Sequence, residues 1–202
     1  MPHYRHRETN QRAVVLLDDH YSHFGQEPED GFLREAVRAL GARGLLVYPH
    51  NMFGTVGNLV AHHQAAWDHE QPAPSAWVLD IDLPLGRHLH DDIRDGVGLA
   101  RHLRAQGIQR PNRGSQYRPI PIFFLTKFAI GDTVPNPRDP GSHQPLRQRI
   151  QDDVQVAWRF FRKSWADPGE PQAIEEAVDG PVQAYTLDQF AEAVWQAAEG
   201  AV

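Results

Sequence analysis

Acidic residues follow two apolar segments of the chain at the point where each segment ends. Asp18 and Asp19 come directly after residues 13–17, and Asp80 comes directly after residues 76–79. Carboxylate oxygens are the ligands that hard cations such as Mg²⁺ prefer, and a cation offsets the repulsion between neighbouring carboxylates. An aspartate can also act as a nucleophile and form an acyl phosphate. This pattern therefore indicates an acidic site that binds a metal ion and accepts a phosphoryl group.

Two further polar residues follow later apolar segments. Thr126 comes after residues 119–125, and Lys163 comes shortly after residues 154–161. A threonine hydroxyl can donate a hydrogen bond to a phosphoryl oxygen, and a lysine ammonium can place a positive charge beside it. We therefore expect Thr126 and Lys163 to join the acidic residues in one site.

The elements that position these residues alternate along the chain. Short apolar segments rich in branched residues indicate strands buried on both faces of a sheet, and helical periodicity follows most of them. Thr186 and Gln189 have the spacing of a capping box at the start of the last helix. This alternation predicts a parallel sheet covered by helices, in which ligands bind beyond the carboxyl ends of the strands. The predicted strands are residues 13–17, 45–48, 76–79, 119–125 and 154–161, and the predicted helices lie near residues 32–40, 56–67, 95–103, 146–153 and 186–198.

In their order along the chain, these motifs resemble the receiver domain of bacterial two-component response regulators. The matching stretches are Leu16-Leu17-Asp18-Asp19, Leu79-Asp80-Ile81-Asp82-Leu83-Pro84, Phe124-Leu125-Thr126 and Phe161-Arg162-Lys163. The phosphoacceptor of that family is an aspartate followed four residues later by a proline, as Asp80 is by Pro84. Asp95 and Gly96 resemble the Asp-Gly pair that opens the third helix of the family.

The resemblance implies a role for each acidic residue. Asp80 is expected to be the phosphoacceptor, and Asp18 and Asp19 are expected to bind Mg²⁺ together with Asp80. Asp82 is expected to contribute a further metal ligand through its backbone.

The resemblance also implies roles for the remaining site residues. Thr126 takes the place of the switch hydroxyl, and Lys163 takes the place of the ammonium that pairs with the phosphoryl group. Phe160, three residues before the lysine, occupies the place of an aromatic residue that reports activation by changing its rotamer.

The fold implied by the resemblance is a flavodoxin-like α/β fold. Its sheet is doubly wound and five-stranded, with parallel strands in the order 2-1-3-4-5 and helices on both faces. We expect a single receiver-like domain over residues 1–202, with its core at about residues 11–200. The segments expected to be insertions are residues 21–30, 85–94, 128–145 and 164–184, and a short helix is predicted near residues 173–178 within the last of them.

The expected function is that of a stand-alone receiver-like signalling domain in a Mg²⁺-dependent phosphorelay. The residues after Lys163 are too few for a DNA-binding output domain, so signalling is expected to proceed through docking of partners. These partners are a histidine kinase or phosphotransfer protein upstream and an unknown protein target downstream. The chain is not expected to be an enzyme beyond self-phosphorylation and autodephosphorylation on Asp80. The sequence leaves open whether it forms a homodimer.

Composition narrows the remaining classes of function. The chain of 202 residues has a formal net charge of −6 and contains no cysteine. Direct binding to nucleic acid is not expected without a basic face, and disulfides and thiolate metal sites are excluded. The sequence has neither the apolar core of a signal peptide nor an apolar run near the roughly 20 residues of a spanning helix. We therefore expect a cytoplasmic protein without a membrane partner.

Two other functions remain open from the sequence. A haloacid-dehalogenase-like phosphatase would use Asp80 as its nucleophile and Asp82 as its general acid, with Thr126 and Lys163 in its second and third motifs. That family normally places its Asp-x-Asp motif on the first strand, whereas here a complete strand comes earlier. Lys127 and the altered loops favour instead a pseudo-receiver, an interaction module that keeps the fold without phosphoryl transfer.

A histidine-rich segment offers a second candidate metal site. His88, His90, Asp91 and Asp92 combine a His-x-His motif with acids, a set that can bind Zn²⁺. An exposed polar loop explains the same composition equally well.

Overall fold

The computed structural model describes residues 12–20, 30–50, 75–83, 95–105, 109–111, 117–136, 139–151, 158–166, 169–177 and 180–200. Its strands are β1 (Arg12–Leu17), β2 (Leu45–His50), β3 (Ala76–Leu79), β4 (Gln109–Pro111), β5 (Tyr117–Pro119), β6 (Ile122–Thr126), β7 (Thr133–Asn136), β8 (Asp139–Pro145), β9 (Trp158–Ala166), β10 (Glu170–Glu176) and β11 (Val182–Thr186). Its helices are α1 (Gly31–Ala42), α2 (Gly96–Ala105), α3 (Leu146–Gln151) and α4 (Leu187–Gly200). None of these helices is long and apolar enough to cross a membrane.

Within the described ranges, the main sheet has seven strands in the order β11-β10-β9-β6-β3-β1-β2. The five strands from β9 to β2 are parallel, and β10 and β11 extend the sheet in antiparallel orientation. The predicted α/β class with a mostly parallel sheet is therefore confirmed. The predicted count of five strands is wrong, because two strands lie beyond β9 and change the order of the complete sheet.

Alternation along the parallel strands divides the core between the two faces of the sheet. Val15 and Leu17 of β1 pack on one face with α2 and α3, whereas Val14 and Leu16 pack on the other with α1 and α4. All four side chains are fully buried. Strands that bury both faces read as continuous apolar segments, which is why β1, β3 and β6 could be recognised in the sequence.

Side chains fix the starts of the two outer helices on one face. Asp30 accepts a hydrogen bond of 2.8 Å from the backbone N–H of Phe32 at the start of α1. Before α4, the N–H of Thr186 donates to Gln189 Oε1, and the N–H of Gln189 donates to Thr186 Oγ1, at 2.9 and 3.2 Å. The predicted capping box is confirmed, and it satisfies donors that a helix start leaves without partners.

The segment 164–184, predicted to be an insertion, supplies strands to the main sheet. The helix predicted near residues 173–178 is wrong, because residues 170–176 form β10 and pair with β9. Gly169 has a φ of 108°, a left-handed conformation suited to glycine, and it lies in the turn between the two strands. The glycine here marks a hairpin rather than a long loop.

The segment 128–145 contains a second hairpin. It consists of β7 and β8, which pair in antiparallel orientation apart from the main sheet, and it leads directly into α3. The predicted helix near residues 56–67, the predicted insertion at 85–94 and all but the last residue of the predicted insertion at 21–30 lie outside the described residues.

Candidate functional site

Asp18 and Asp80 lie side by side at the carboxyl edge of the sheet. Strands β1 and β3 are parallel neighbours with Leu17 opposite Leu79, so the residues that follow them are adjacent. The N–H of Asp80 donates a hydrogen bond of 2.8 Å to the carbonyl of Leu17. The two aspartates are only 1% and 2% exposed. Two carboxylates buried together need a cation, because burial and mutual repulsion both oppose their ionisation.

Lys163 supplies a positive charge to both carboxylates. Its Nζ lies 2.6 Å from Asp18 Oδ2 and 3.0 Å from Asp80 Oδ2, and its side chain is largely buried. The sequence analysis predicted that Lys163 follows the end of its strand. The structure places it within β9, opposite Ala173 of β10. Because Arg162 is opposite Thr126, the last residue of β6, Lys163 still stands just beyond the end of β6.

Backbone donors hold the other oxygen of Asp80. Its Oδ1 accepts hydrogen bonds from the N–H groups of Ile81 at 2.6 Å and Asp82 at 3.1 Å. Burial opposes ionisation of Asp80, but the charge and hydrogen bond of Lys163, followed by contributions from Thr126 and the Asp82 N–H, outweigh it. The pKa of Asp80 is therefore held below its usual value. Asp80 is therefore ionised at neutral pH.

Asp18 is in a less favourable electrostatic environment. Burial and the neighbouring charge of Asp80 raise its pKa to about 6, despite the attraction of Lys163 and a hydrogen bond from the His20 N–H. Burial lowers the pKa of Lys163, but the charges of Asp80 and Asp18 raise it by more, so the ammonium stays protonated. One ammonium therefore does not fully neutralise the two buried acids.

Thr126 places a hydroxyl group beside Asp80. It is the last residue of β6, which lies between β3 and β9, and it is completely buried. Its hydroxyl helps to lower the pKa of Asp80. Within the described part of the chain, however, this hydroxyl forms no well-oriented hydrogen bond. A buried hydroxyl without a partner is costly, so this one suits a ligand that brings an acceptor oxygen.

The acidic residues offer a set of donors that fits a divalent cation. Asp18, Asp19, His20 and Asp80 each provide one ligand atom, and these atoms lie within 4.8 Å of one another. Asp18 and Asp80 share the ammonium of Lys163, and carboxylate oxygens suit Mg²⁺. Comparisons with protein-family models, curated proteins and solved structures find no match.

The sequence interpretation missed His20, whose only signal was its position directly after two candidate metal ligands.

Asp82 and Lys127 form an ion pair at the rim of the site. Lys127 Nζ lies 2.6 Å from Asp82 Oδ2, and about half of each side chain is exposed. The hydrogen bond with Asp82 raises the pKa of Lys127. The Asp82 carboxylate is thus paired with lysine, and its N–H is the group that contacts Asp80.

Phe160 lies in the core rather than at the rim. It is 1% exposed and packs on the face covered by α2 and α3. The structure thus brings together Asp18, Asp19, Asp80, Thr126 and Lys163, but keeps Phe160 beneath them. Pro84 and the candidate zinc residues His88, His90, Asp91 and Asp92 lie outside the described residues.

Gly96 fits closely against the backbone of Asp80. A Cβ atom at this position would lie 1.9 Å from the carbonyl oxygen of Asp80 and 3.1 Å from Cα of Ile81. The N–H of Gly96 also donates to the carbonyl of Ile81 at 3.2 Å. Only glycine allows the start of α2 to approach so closely. The sequence pointed to Gly96 only through its resemblance to a family motif.

A buried ion pair fixes Asp95, the residue that precedes Gly96. Asp95 accepts a hydrogen bond of 2.8 Å from the Gly98 N–H, and it pairs with Arg149 of α3, which is 2% exposed. The start of α2, which packs against Asp80, is therefore held in place by contacts with both α2 and α3.

Strand β10 anchors the loop that follows Thr126. The buried carboxylate of Glu176 accepts hydrogen bonds of 2.7 Å from the Ile130 N–H and from Arg162 Nε. The strand that the sequence interpretation missed thus helps to position Thr126.

Proposed function

We propose that the chain is a stand-alone receiver-like domain that accepts a phosphoryl group on Asp80 and signals through docked partners. The observation that carries this proposal is the Lys163 ammonium bridging Asp18 and Asp80 beside the buried hydroxyl of Thr126, which makes no well-oriented hydrogen bond among the described residues. The parallel strands support it as well, because β2-β1-β3-β6-β9 is the order expected of a flavodoxin-like sheet.

The carboxylate of Asp80 is prepared for nucleophilic attack. Two backbone N–H groups fix one oxygen, and Lys163 holds the carboxylate ionised. An oxygen of Asp80 attacks the phosphorus of a donor such as acetyl phosphate or a phosphohistidine, forming an acyl phosphate. The bond from phosphorus to the donor breaks, and its electron pair leaves with acetate or histidine.

The neighbouring residues stabilise the charge of the transferred group. Lys163 provides an ammonium for one phosphoryl oxygen, and the Thr126 hydroxyl donates a hydrogen bond to another. Asp18, Asp19 and Asp80 would hold Mg²⁺, which would neutralise negative charge on the phosphoryl group. The upstream donor in this proposal is a histidine kinase or phosphotransfer protein, and the downstream target is another protein.

A pseudo-receiver that works only as an interaction module is the second candidate. The Lys127–Asp82 ion pair favours it, because it places a second lysine at the entrance to the site. This lysine carries a full charge and can compete with a cation or a donor for the acidic residues.

Labelling with acetyl phosphate distinguishes these functions. We expect the wild-type protein with Mg²⁺ to gain one phosphoryl group by intact mass, and Asp80→Asn to gain none. Asp82→Asn serves as the matched control and is expected to remain labelled. Beryllofluoride binding, followed by ¹⁹F NMR, gives a second readout that needs no phosphoryl donor.

The other outcomes each point to a different function. A folded wild-type protein that neither becomes labelled nor binds beryllofluoride contradicts phosphoryl transfer and leaves the pseudo-receiver. Steady turnover of an aryl phosphate that depends on Asp80 and Asp82 indicates the haloacid-dehalogenase-like phosphatase instead.

A further inference from the structure

His20 turns its imidazole toward the two aspartates that precede it. Its Nδ1 lies 2.8 Å from Asp19 Oδ1 and 3.2 Å from Asp18 Oδ1. Its backbone N–H donates a hydrogen bond of 3.0 Å to Asp18 Oδ1, so the turn after β1 fixes the direction of this side chain. Three different residues thereby present ligand atoms to the same small volume.

The separations of these atoms fit a common metal ion. In a six-coordinate site with bonds of about 2.1 Å, neighbouring ligand atoms are about 3 Å apart. Both distances from the imidazole nitrogen are close to this value. The arrangement can therefore accept an ion without a large rearrangement of the turn.

Lys163 and a metal ion would use different oxygens of Asp18. The ammonium contacts Oδ2 of Asp18 and Oδ2 of Asp80, whereas His20 faces Oδ1 of Asp18. The contacts of the ammonium with Asp18 therefore do not involve the oxygen nearest to His20. Half of the His20 side chain is exposed, so an ion can reach the side of Asp18 nearest to His20 from solvent.

A separate observation indicates a ligand at this cluster. Thr126 Oγ1 is completely buried beside Asp80, and it makes no well-oriented hydrogen bond within the residues that the structure describes. A bound ion with its water or phosphoryl oxygens would supply the missing acceptor. This evidence is independent of the histidine and of the repulsion between the acids.

We propose that His20 is a nitrogen ligand of the cation held by Asp18 and Asp19, and that it makes the site prefer Mn²⁺ over Mg²⁺. This inference rests on the cation of the proposed function, but not on phosphoryl transfer. Mg²⁺ strongly favours oxygen ligands, whereas first-row transition metals accept imidazole together with carboxylates. Replacing one oxygen donor with His20 therefore stabilises Mn²⁺ more than Mg²⁺.

Electron paramagnetic resonance of Mn²⁺ tests the ligand directly. We expect the wild-type protein with Mn²⁺ to show a ¹⁴N coupling typical of a bound histidine, and His20→Ala to lose it. His20→Ala is also expected to bind Mn²⁺ at least about tenfold more weakly. Replacing a residue that supports a metal ligand already lowers metal affinity by about this factor. Its affinity for Mg²⁺, measured by calorimetry, is expected to fall much less.

Two matched variants complete the experiment. His143→Ala removes another exposed histidine, on β8, and is expected to keep both the coupling and the affinity. Asp18→Asn removes a ligand common to both metals and is expected to weaken Mn²⁺ and Mg²⁺ together. A wild-type complex without ¹⁴N coupling, or equal losses of Mn²⁺ and Mg²⁺ affinity in His20→Ala, overturns the proposal.

Failure of this inference can be distinguished from failure of the proposed function. A protein that shows the His20 coupling but is never labelled by acetyl phosphate retains the metal ligand and loses the signalling function. A protein that is labelled equally well with and without His20, and shows no coupling, retains the signalling function and loses this ligand.

Discussion

The ammonium nitrogen of Lys163 lies 3.0 Å from a carboxylate oxygen of Asp80, although the two residues are 83 positions apart. They belong to β9 and to the end of β3, and β6 lies between these strands in the sheet. Lys163 therefore reaches across the end of β6, directly above the place where Thr126 ends that strand. The contact forms only when three strands are correctly aligned, so the geometry of the site depends on correct pairing of the sheet.

Removing this ammonium is expected to affect both stability and labelling. Lys163→Met leaves two buried carboxylates without their cation, and the free energy of unfolding should fall by about 3 kcal/mol or more without added metal. Labelling of Asp80 should slow by about a hundredfold, because a charge that stabilises the transferred group is lost. Urea unfolding and the time course of intact mass measure the two effects.

Lys127→Met is the matched control, because it removes a lysine of an exposed ion pair at the same rim. Its effect on the free energy of unfolding is expected to stay within about 1 kcal/mol. Equal destabilisation by the two substitutions would show that Lys163 is not the buried counter-ion of Asp18 and Asp80.

The stability of the metal-free protein should depend on the protonation of Asp18. Its pKa in the folded protein is about 6, above its usual 3.8, so the folded state binds the proton more tightly than the unfolded state does. The stabilising contribution is thus fully present below about pH 4 and is lost as the pH rises through 6. Urea unfolding in EDTA is expected to show this loss in the wild type, and a smaller loss in Asp18→Asn.

Bound Mg²⁺ should reverse the loss of stability that the metal-free protein shows as the pH rises, because the ion replaces the proton on Asp18. Below pH 6, the affinity for Mg²⁺ is expected to fall by about tenfold for each pH unit as one proton competes with the ion. Calorimetry between pH 5 and 8 in the His20→Ala variant measures this without a contribution from the imidazole. An affinity independent of pH would mean that Asp18 is not a ligand.

The parts of this architecture that could be predicted were encoded locally. Strands buried on both faces are continuous apolar segments, so the ends of β1, β3 and β6, the acids after the first two and Thr126 at the end of the third were visible in the sequence. The capping box of Thr186 and Gln189 was visible for the same reason.

The remaining features depend on contacts between distant segments. Strand β10 is only partly apolar, so its propensity alone did not reveal its pairing with β9. The position of Lys163 within a strand follows from that pairing. The requirement for Gly96 comes from a backbone 16 residues away, which no local pattern encodes.

Adding a methyl group at Gly96 should disturb the site without removing any of its polar atoms. The new Cβ would lie 1.9 Å from the Asp80 carbonyl oxygen, so either α2 or the turn after β3 must move. We expect Gly96→Ala to lower the free energy of unfolding by about 1–3 kcal/mol, the usual cost of overpacking. Labelling of Asp80 should slow as well, because its backbone is displaced.

Gly41→Ala provides the control for this substitution. Gly41 lies in α1, and a Cβ there would meet no atom within 4 Å. Alanine at this position should stabilise the helix by up to about 1 kcal/mol and leave labelling unchanged. If both variants gave the same change in urea unfolding, the close approach of Gly96 to Asp80 would not be a constraint on the fold.

The hydroxyl of Thr126 is expected to cost stability and to support function. Because it is buried and makes no well-oriented hydrogen bond with any described residue, Thr126→Val should raise the free energy of unfolding by about 1 kcal/mol. The same substitution removes a donor to the phosphoryl group, so labelling of Asp80 should slow by about tenfold or more. Thr133→Val, at an exposed position of β7, should change neither quantity. Opposite effects on stability and labelling would assign Thr126 to the ligand rather than to the core, whereas a loss of both would make it a structural residue.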